Sequence, residues 1–242
     1  MNRNRRFCAT KPLSWLVGGM LAKGSITVLI GESGLGKTSF ALQLAHCIQA
    51  GVPFMKQPVK QGKVLFVEQD ESPAEVHDKI KSMLCRCSTL DELEYYPAAF
   101  YPESTQSIEQ LGEASRGYAL LVVDSLEALD VDANSSQAVR TATRSLREIA
   151  VRNHLAVLLI HHLRKPSRDG FETTEERLAG SHGIKDSCDF LLTLYKNDGA
   201  RVLGTTAKFR GRRTFSKILM SWSPTDLCFR AKEIVPPYDM ES

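Results

Sequence analysis

No apolar run in the 242-residue sequence approaches the ~18 residues of a membrane-spanning helix. The nearest imitation of a secretory leader is MNRNRR followed by WLVGGMLA, Trp15 to Ala22. That run is short, carries two glycines and is separated from the basic residues by Pro12. It leads straight into a strand-like segment, so it reads as part of the fold. Charge of one sign is scarce too: 31 Lys and Arg face 28 Asp and Glu, a formal net charge of +3. A balance this small gives no reason, by itself, to expect a nucleic acid or an acidic membrane as partner. Cysteine is present but unorganised. Of Cys8, Cys47, Cys85, Cys87, Cys188 and Cys228 only one pair is close, and a lone C-x-C lacks the second pair of a structural zinc site. The six read as reduced thiols, and the protein as cytoplasmic, with no membrane association. Internal repeats and low-complexity tracts are missing. With 43% hydrophobic residues, the length suits one globular domain with a real core and is short for two. Residues 1–11 and 232–242 are expected to be flexible tails.

What the chain does contain is alternation. SITVLI (25–30) is β-rich and apolar, and KTSFALQLAHCIQA (37–50) carries apolar residues at helical spacing before Gly51 and Pro53 stop it. KVLFV (63–67) is a second strand, followed by Ser72-Pro73, an N-cap and first-turn pair opening a helix to about Cys85. ALLVV (119–123) is a third strand, and residues 136–152 form a helix with Arg140, Arg144 and Arg147 on a solvated face. HLAVLLI (154–160) is a fourth strand ending at His161-His162. Residues 88–105 and 164–176 read as irregular. The last quarter is β only, with strands at 189–195, 201–208, 215–222 and 227–231. The expected fold class is α/β: a mainly parallel sheet flanked by helices, with antiparallel strands added at one edge.

Between the first strand and helix lies GESGLGKTSF, Gly31 to Phe40. Gly31-x-x-x-x-Gly36-Lys37-Thr38 is a complete phosphate-binding loop in its required strand–loop–helix setting. Its backbone N–H groups, from Gly31, Glu32, Ser33, Gly34, Leu35, Gly36, Lys37, Thr38 and Ser39, can turn inward around a phosphate chain at the positive end of the helix. Lys37 can reach the β- and γ-phosphates, and the Thr38 hydroxyl can ligate Mg²⁺. A metal-side acid should end another buried strand, and Asp124 after LLVV fits. Glu68, Asp70 and Glu71, after the second strand, are candidates to orient or deprotonate an attacking water, with Asp70 first. Dipole complementation at the next helix is the alternative role for that acidic cluster. His161 or His162, at the C-terminal end of a parallel strand, can hydrogen-bond a terminal phosphate.

The order PLSWLVGGMLAKGSITVLIGESGLGKTSFALQLA, GKVLFVEQDESP, LLVVDSLEAL, VLLIHHLRKPS and RLAGSHGIKDSCDFLLTL resembles RecA-like P-loop ATPases. The resemblance is to the hexameric replicative helicase RepA type, among plasmid and phage AAA-domain ATPases. DnaB-type helicases, RecA and RadA recombinases and KaiC are more distant. It covers about Pro12 to Arg230 and implies ATP with Mg²⁺, a homo-oligomer, most simply a hexameric ring, and single-stranded DNA as a partner. It matches Lys37 and Thr38 to the loop lysine and metal hydroxyl, Asp124 to the metal-side acid, and His161 or His162 to the phosphate sensor. Asp70 stands where the family usually has Glu. The resemblance also implies a basic residue donated across a subunit boundary, from Lys208 or Arg210 in KFRGRR. An exposed basic edge is the other reading of those residues. The loop 164–180, with Arg164, Lys165, Arg168 and Phe171, falls where relatives contact single-stranded DNA. The reading that follows is a helicase or DNA-remodelling motor for plasmid, phage or mobile-element replication. A nucleotide-switched assembly ATPase without unwinding activity is the alternative, and a P-loop kinase a third.

Overall fold

The structure, a computed structural model of the chain, describes residues 12–68, 73–84, 98–100, 108–125, 131, 135–162, 188–209 and 214–237. Within them the chain forms β1 (Trp15–Val17), β2 (Leu21–Ala22), β3 (Ile26–Gly31), α1 (Lys37–Ala50), β4 (Val64–Glu68), α2 (Pro73–Leu84), β5 (Ala98–Phe100) and α3 (Ile108–Ala114). It continues through β6 (Leu120–Asp124), α4 (Ser136–Arg152), β7 (Ala156–His162), β8 (Phe190–Asn197), β9 (Ala200–Phe209), β10 (Lys217–Ser223) and β11 (Cys228–Val235). Strands β1 and β2 pair only with each other; the rest form one nine-stranded sheet in the order β11-β10-β9-β8-β3-β7-β6-β4-β5. From β5 to β8 every pairing is parallel. From β8 outward, β9, β10 and β11 are antiparallel. The mixed sheet expected from the sequence is the one observed.

The central strands are continuous apolar runs because both of their faces are covered. Alternation sorts their side chains into two cores. Leu29, Val64, Phe66, Leu120, Val122, Leu158 and Ile160 pack with Phe40, Leu44 and Ile48 of α1. Val28, Ile30, Leu121, Val123, Val157 and Leu159 pack with Val139, Leu146 and Ile149 of α4. Each such fully buried side chain contributes about 1.5–3 kcal/mol. Helix α1 ends at Gly51, whose φ of 70° lets its N–H return to the Cys47 and Ile48 carbonyls. Helix α4 starts where the Ser135 hydroxyl accepts from the Ala138 N–H at 3.2 Å.

Several elements depart from the sequence reading. The 136–152 helix is present, but Arg147 does not belong to its solvated face. Its guanidinium donates to both carboxylate oxygens of Asp189, at 2.8 and 2.6 Å, while Asp189 Oδ2 also accepts from the Ile26 N–H at 3.0 Å. That clamp ties α4 to the starts of β3 and β8. Arg140 and Arg144 are exposed as expected. The short elements β1, β2, β5 and α3 carry too few periodic residues to be read from sequence. Strand β11 continues through Val235, beyond the start of the tail expected from Lys232. No described helix is long and apolar enough to cross a membrane.

Candidate functional site

Strand β3 ends at Gly31, where close approach dictates glycine: a Cβ there would stand 2.5 Å from the Leu194 carbonyl oxygen of β8. The loop then turns through Gly34 (φ 76°) and Gly36 (φ 88°), a left-handed backbone that side chains disfavour. Gly36 is also the N-cap of α1. It brings no capping side chain, and the first turn holds no acidic residue. The N-terminal N–H groups of α1 are therefore left to an anion from outside the helix.

Lys37 opens α1 and folds back over the loop. Its Nζ donates to the carbonyls of Gly31 at 3.0 Å and Glu32 at 2.9 Å. The residue is 3% exposed. Burial lowers its pKa from 10.5 to about 8, against the opposing attraction of Asp124 and Glu32. Thr38 reaches the other way, its hydroxyl donating to Asp124 Oδ2 at 2.7 Å.

The neighbouring strands deliver their ends to the same place. In the parallel register Glu68 of β4 lies opposite Asp124 of β6, Asp124 opposite Ile160 of β7, and His162 of β7 opposite Gly31 of β3. Alternation puts Glu68, Asp124 and His162 on the α1 side of the sheet, with Phe66, Val122 and Ile160. His161 falls on the opposite side and is buried, whereas His162 is exposed. Of the two histidines, then, the structure brings His162 to the loop. Burial of Asp124 raises its pKa, while hydrogen bonding with Thr38 and Glu68 and the charges of His162 and Lys37 pull it down. The Asp124–Ser125 peptide is cis.

Thr38 Oγ1 and the Asp124 carboxylate are hard oxygen donors, the kind that Mg²⁺ takes while keeping waters and phosphate oxygens as its other ligands. Among the described residues no three His, Cys, Asp or Glu side chains gather as a self-sufficient metal cage. The donor set fits a cation shared with a phosphate ligand. Asp70, Glu71 and Arg210 lie outside the described residues, as do Arg164, Lys165, Arg168 and Phe171. Lys208 belongs to β9, and its side chain is likewise outside what is described.

Sequence reasoning missed the other wall of the loop. Trp222 of β10 and Phe229 of β11 flank Gly36: a Cβ on that glycine would lie 3.4 Å from Trp222 Cη2 and 3.2 Å from Phe229 Cζ. The Arg201 guanidinium stands 4.5 Å from the Trp222 ring centroid and 5.7 Å from that of Phe229. Burial lowers the Arg201 pKa. A cavity of about 650 Å³ lies at this sheet edge, lined by Lys196, Asp198, Arg201, Met220, Trp222 and Lys232 among others, and by no residue of the loop itself. The signal available in the sequence was a tryptophan, one of only two, on a strand near the end of an α/β chain.

The AAA domain family model matches residues 3–168. The chain is 24% identical over 208 residues to the DNA repair protein RadA of Campylobacter jejuni, covering 83% of this chain and 40% of that protein. It is 27% identical over 150 residues to the DNA repair and recombination protein RadB of Methanococcoides burtonii, covering 60% and 62%. The chain thus spans less than half the length of that RadA protein. Among solved structures it is similar to an ATPase domain, with a TM-score of 0.67, 14% identity, and 87% and 86% of the two chains covered. It is also similar to a DnaB-like replicative helicase solved for its interactions with primase, with a TM-score of 0.67, 13% identity, and 92% and 63% covered.

Proposed function

Because the chain belongs to the AAA domain family and has a RecA-like P-loop ATPase fold related to those of DnaB-like helicases and RadA, we propose that it hydrolyses ATP with Mg²⁺ as a ring-forming DNA motor of the cytoplasm. The observation that carries this reading is the convergence of Lys37, Thr38 and Asp124 on one glycine loop at the C-terminal edge of the sheet.

The chemistry follows from the residues. Loop N–H groups and the start of α1 accept the phosphate chain. From its place on the Gly31 and Glu32 carbonyls, Lys37 reaches the β- and γ-phosphate oxygens. Thr38 and Asp124 would hold Mg²⁺, which would neutralise charge on the phosphates. The base lies over Trp222 and Arg201, whose aromatic and guanidinium faces suit stacking. Asp70, or Glu71 beside it, orients the attacking water. His162, exposed and on the Asp124 side, hydrogen-bonds the γ-phosphate and couples its loss to the residues that follow. A neighbouring subunit of a hexamer completes the site with Lys208 or Arg210. Residues 164–180 supply Arg164, Lys165 and Arg168 to a single-stranded DNA backbone.

The motor is tested by steady-state ATP turnover against protein concentration, with and without single-stranded DNA. Turnover per subunit that rises with both is expected of sites shared across subunits and coupled to DNA. Turnover indifferent to DNA would replace the motor with a nucleotide-switched assembly ATPase. Indifference to concentration would remove the shared site.

A further inference from the structure

The cavity at the antiparallel edge of the sheet has three cations in its lining, Lys196, Arg201 and Lys232. Local structure puts each of them there. Asp198 (φ 47°) and Gly199 (φ 78°) make a two-residue turn between the paired Asn197 and Ala200, and the register it fixes sets Lys196 directly across from Arg201. Arg201 is in turn directly across from Met220, so the three side chains share the α1 face of the sheet. On β11 Met220 pairs with Ala231 but Leu219 pairs with Glu233, which leaves Lys232 as the extra residue of a bulge. A bulge re-aims a side chain out of the regular alternation, and Lys232 lines the cavity with Met220.

The protein does not neutralise these cations. Among the described residues neither lysine has a carboxylate within ion-pair distance, Asp198 in the same lining included. Arg201 makes no hydrogen bond among them either: its Nε is buried without an acceptor, and its guanidinium lies over the rings of Trp222 and Phe229. A guanidinium held by its face keeps its in-plane N–H groups for an oxyanion. Three cations against one carboxylate therefore surround a space of about 650 Å³, a volume typical of small-ligand sites. A recess of that size suits a compact, multivalent anion, whereas a nucleic-acid strand needs a groove that continues along its backbone.

We propose that this cavity is a second anion site, separate from the glycine loop, which takes an oligophosphate group through Lys196, Arg201 and Lys232. Met220 and Trp222 supply an apolar wall, so the oligophosphate arrives either bare or carried by a nucleotide. Trp222 stands between the two sites, since it lines the cavity and its ring edge is 3.4 Å from where a Cβ on Gly36 would lie. The two lysines belong to the cavity alone.

The test uses the full chain carrying Lys37→Met, which removes the loop lysine, and titrates it with metal-free inorganic tripolyphosphate by calorimetry at about 0.15 M salt. A single equivalent per chain is expected to bind. Adding Lys196→Gln and Lys232→Gln should weaken that binding at least about tenfold, because two charged donors are lost. In the chain that keeps Lys37, the same two replacements should leave the ADP affinity of the loop within about twofold, which also checks the fold. Pyrophosphate and ADP, titrated in parallel into Lys37→Met, separate the two sources. A lysine-dependent affinity higher for ADP assigns a nucleotide, and equal affinities assign the bare phosphate chain. Tripolyphosphate that does not bind, or that binds regardless of both lysine replacements, would overturn the proposal. Loss of ADP binding on replacing the lysines beside an intact Lys37 would also overturn it, by making them part of the loop site. So would a single-stranded oligonucleotide that binds through the same lysines more tightly than tripolyphosphate.

Discussion

Raising the pH through 8 should dismantle nucleotide binding while the protein stays folded. Lys37 is 3% exposed and burial has brought its pKa from 10.5 to about 8. A phosphate chain in the loop places negative charge against the amine, so the bound form keeps the ammonium. Above pH 8 binding must therefore take up a proton, and affinity falls as pH rises. With Lys37 neutral in the free protein and charged in the complex, the loss approaches tenfold per pH unit, and is about 30-fold at about pH 9.5 relative to the plateau near neutrality. Calorimetric titration with metal-free ADP measures it, over a range where the terminal phosphate is already ionised (pKa near 6). Lys37→Met should bind weakly and without this slope. The same shift acts on folding with the opposite sign. A lysine whose folded pKa lies below its unfolded value destabilises the native state at neutral pH. The penalty is relieved between about 8 and 10.5, where the unfolded chain binds the proton that the native loop does not. Melting temperatures should thus show no Lys37-linked loss over the interval in which affinity collapses. An ADP affinity that stays level to about pH 9.5, or an identical fall in Lys37→Met, would refute the assignment of Lys37 to the phosphates.

Trp222→Ala should weaken ADP binding by about 1–3 kcal/mol, the usual worth of a base–aromatic stack, with the loop lysine untouched; calorimetry reads the loss, and wild-type affinity would remove the base from this shelf. Arg147→Ala deletes two charge-assisted hydrogen bonds to Asp189. Since the Arg147 side chain is 31% exposed, the cost should be about 2–3 kcal/mol, below the 3–5 kcal/mol of a fully buried pair. Urea denaturation measures it, and ADP affinity of the folded variant should not change, because the clamp sits at the opposite end of β3 from the loop.

The parts of this fold that were legible in the sequence are those whose signal is local. Ile26–Gly31 and Leu120–Asp124 are apolar runs bounded by glycine or a charge, and Lys37–Ala50 is a helix closed by Gly51. The phosphate loop is a contiguous pattern whose meaning depends only on the strand before it and the helix after it. Between His161 and His162 the sequence left the choice open. Register settles which of them faces α1, and register is a property of β3, β6 and β7 together. The pairing of Glu68 with Asp124 needs two strands that are neighbours in the sheet but far apart in the chain. Trp222 and Arg201 meet only because β9 and β10 fold back at the far edge, which brings a late strand beside a glycine near the chain's start. Arg147 looked solvated because its helical spacing matches Arg140 and Arg144, and nothing local announces that Asp189 lies beneath it.

The most direct measurement is ATP hydrolysis with Mg²⁺ by the purified chain beside its Lys37→Ala variant, each checked by far-ultraviolet circular dichroism and thermal melting. The account expects turnover by the wild-type chain and background turnover by a variant that is equally folded. Turnover unchanged in Lys37→Ala, or absent from both, would contradict it.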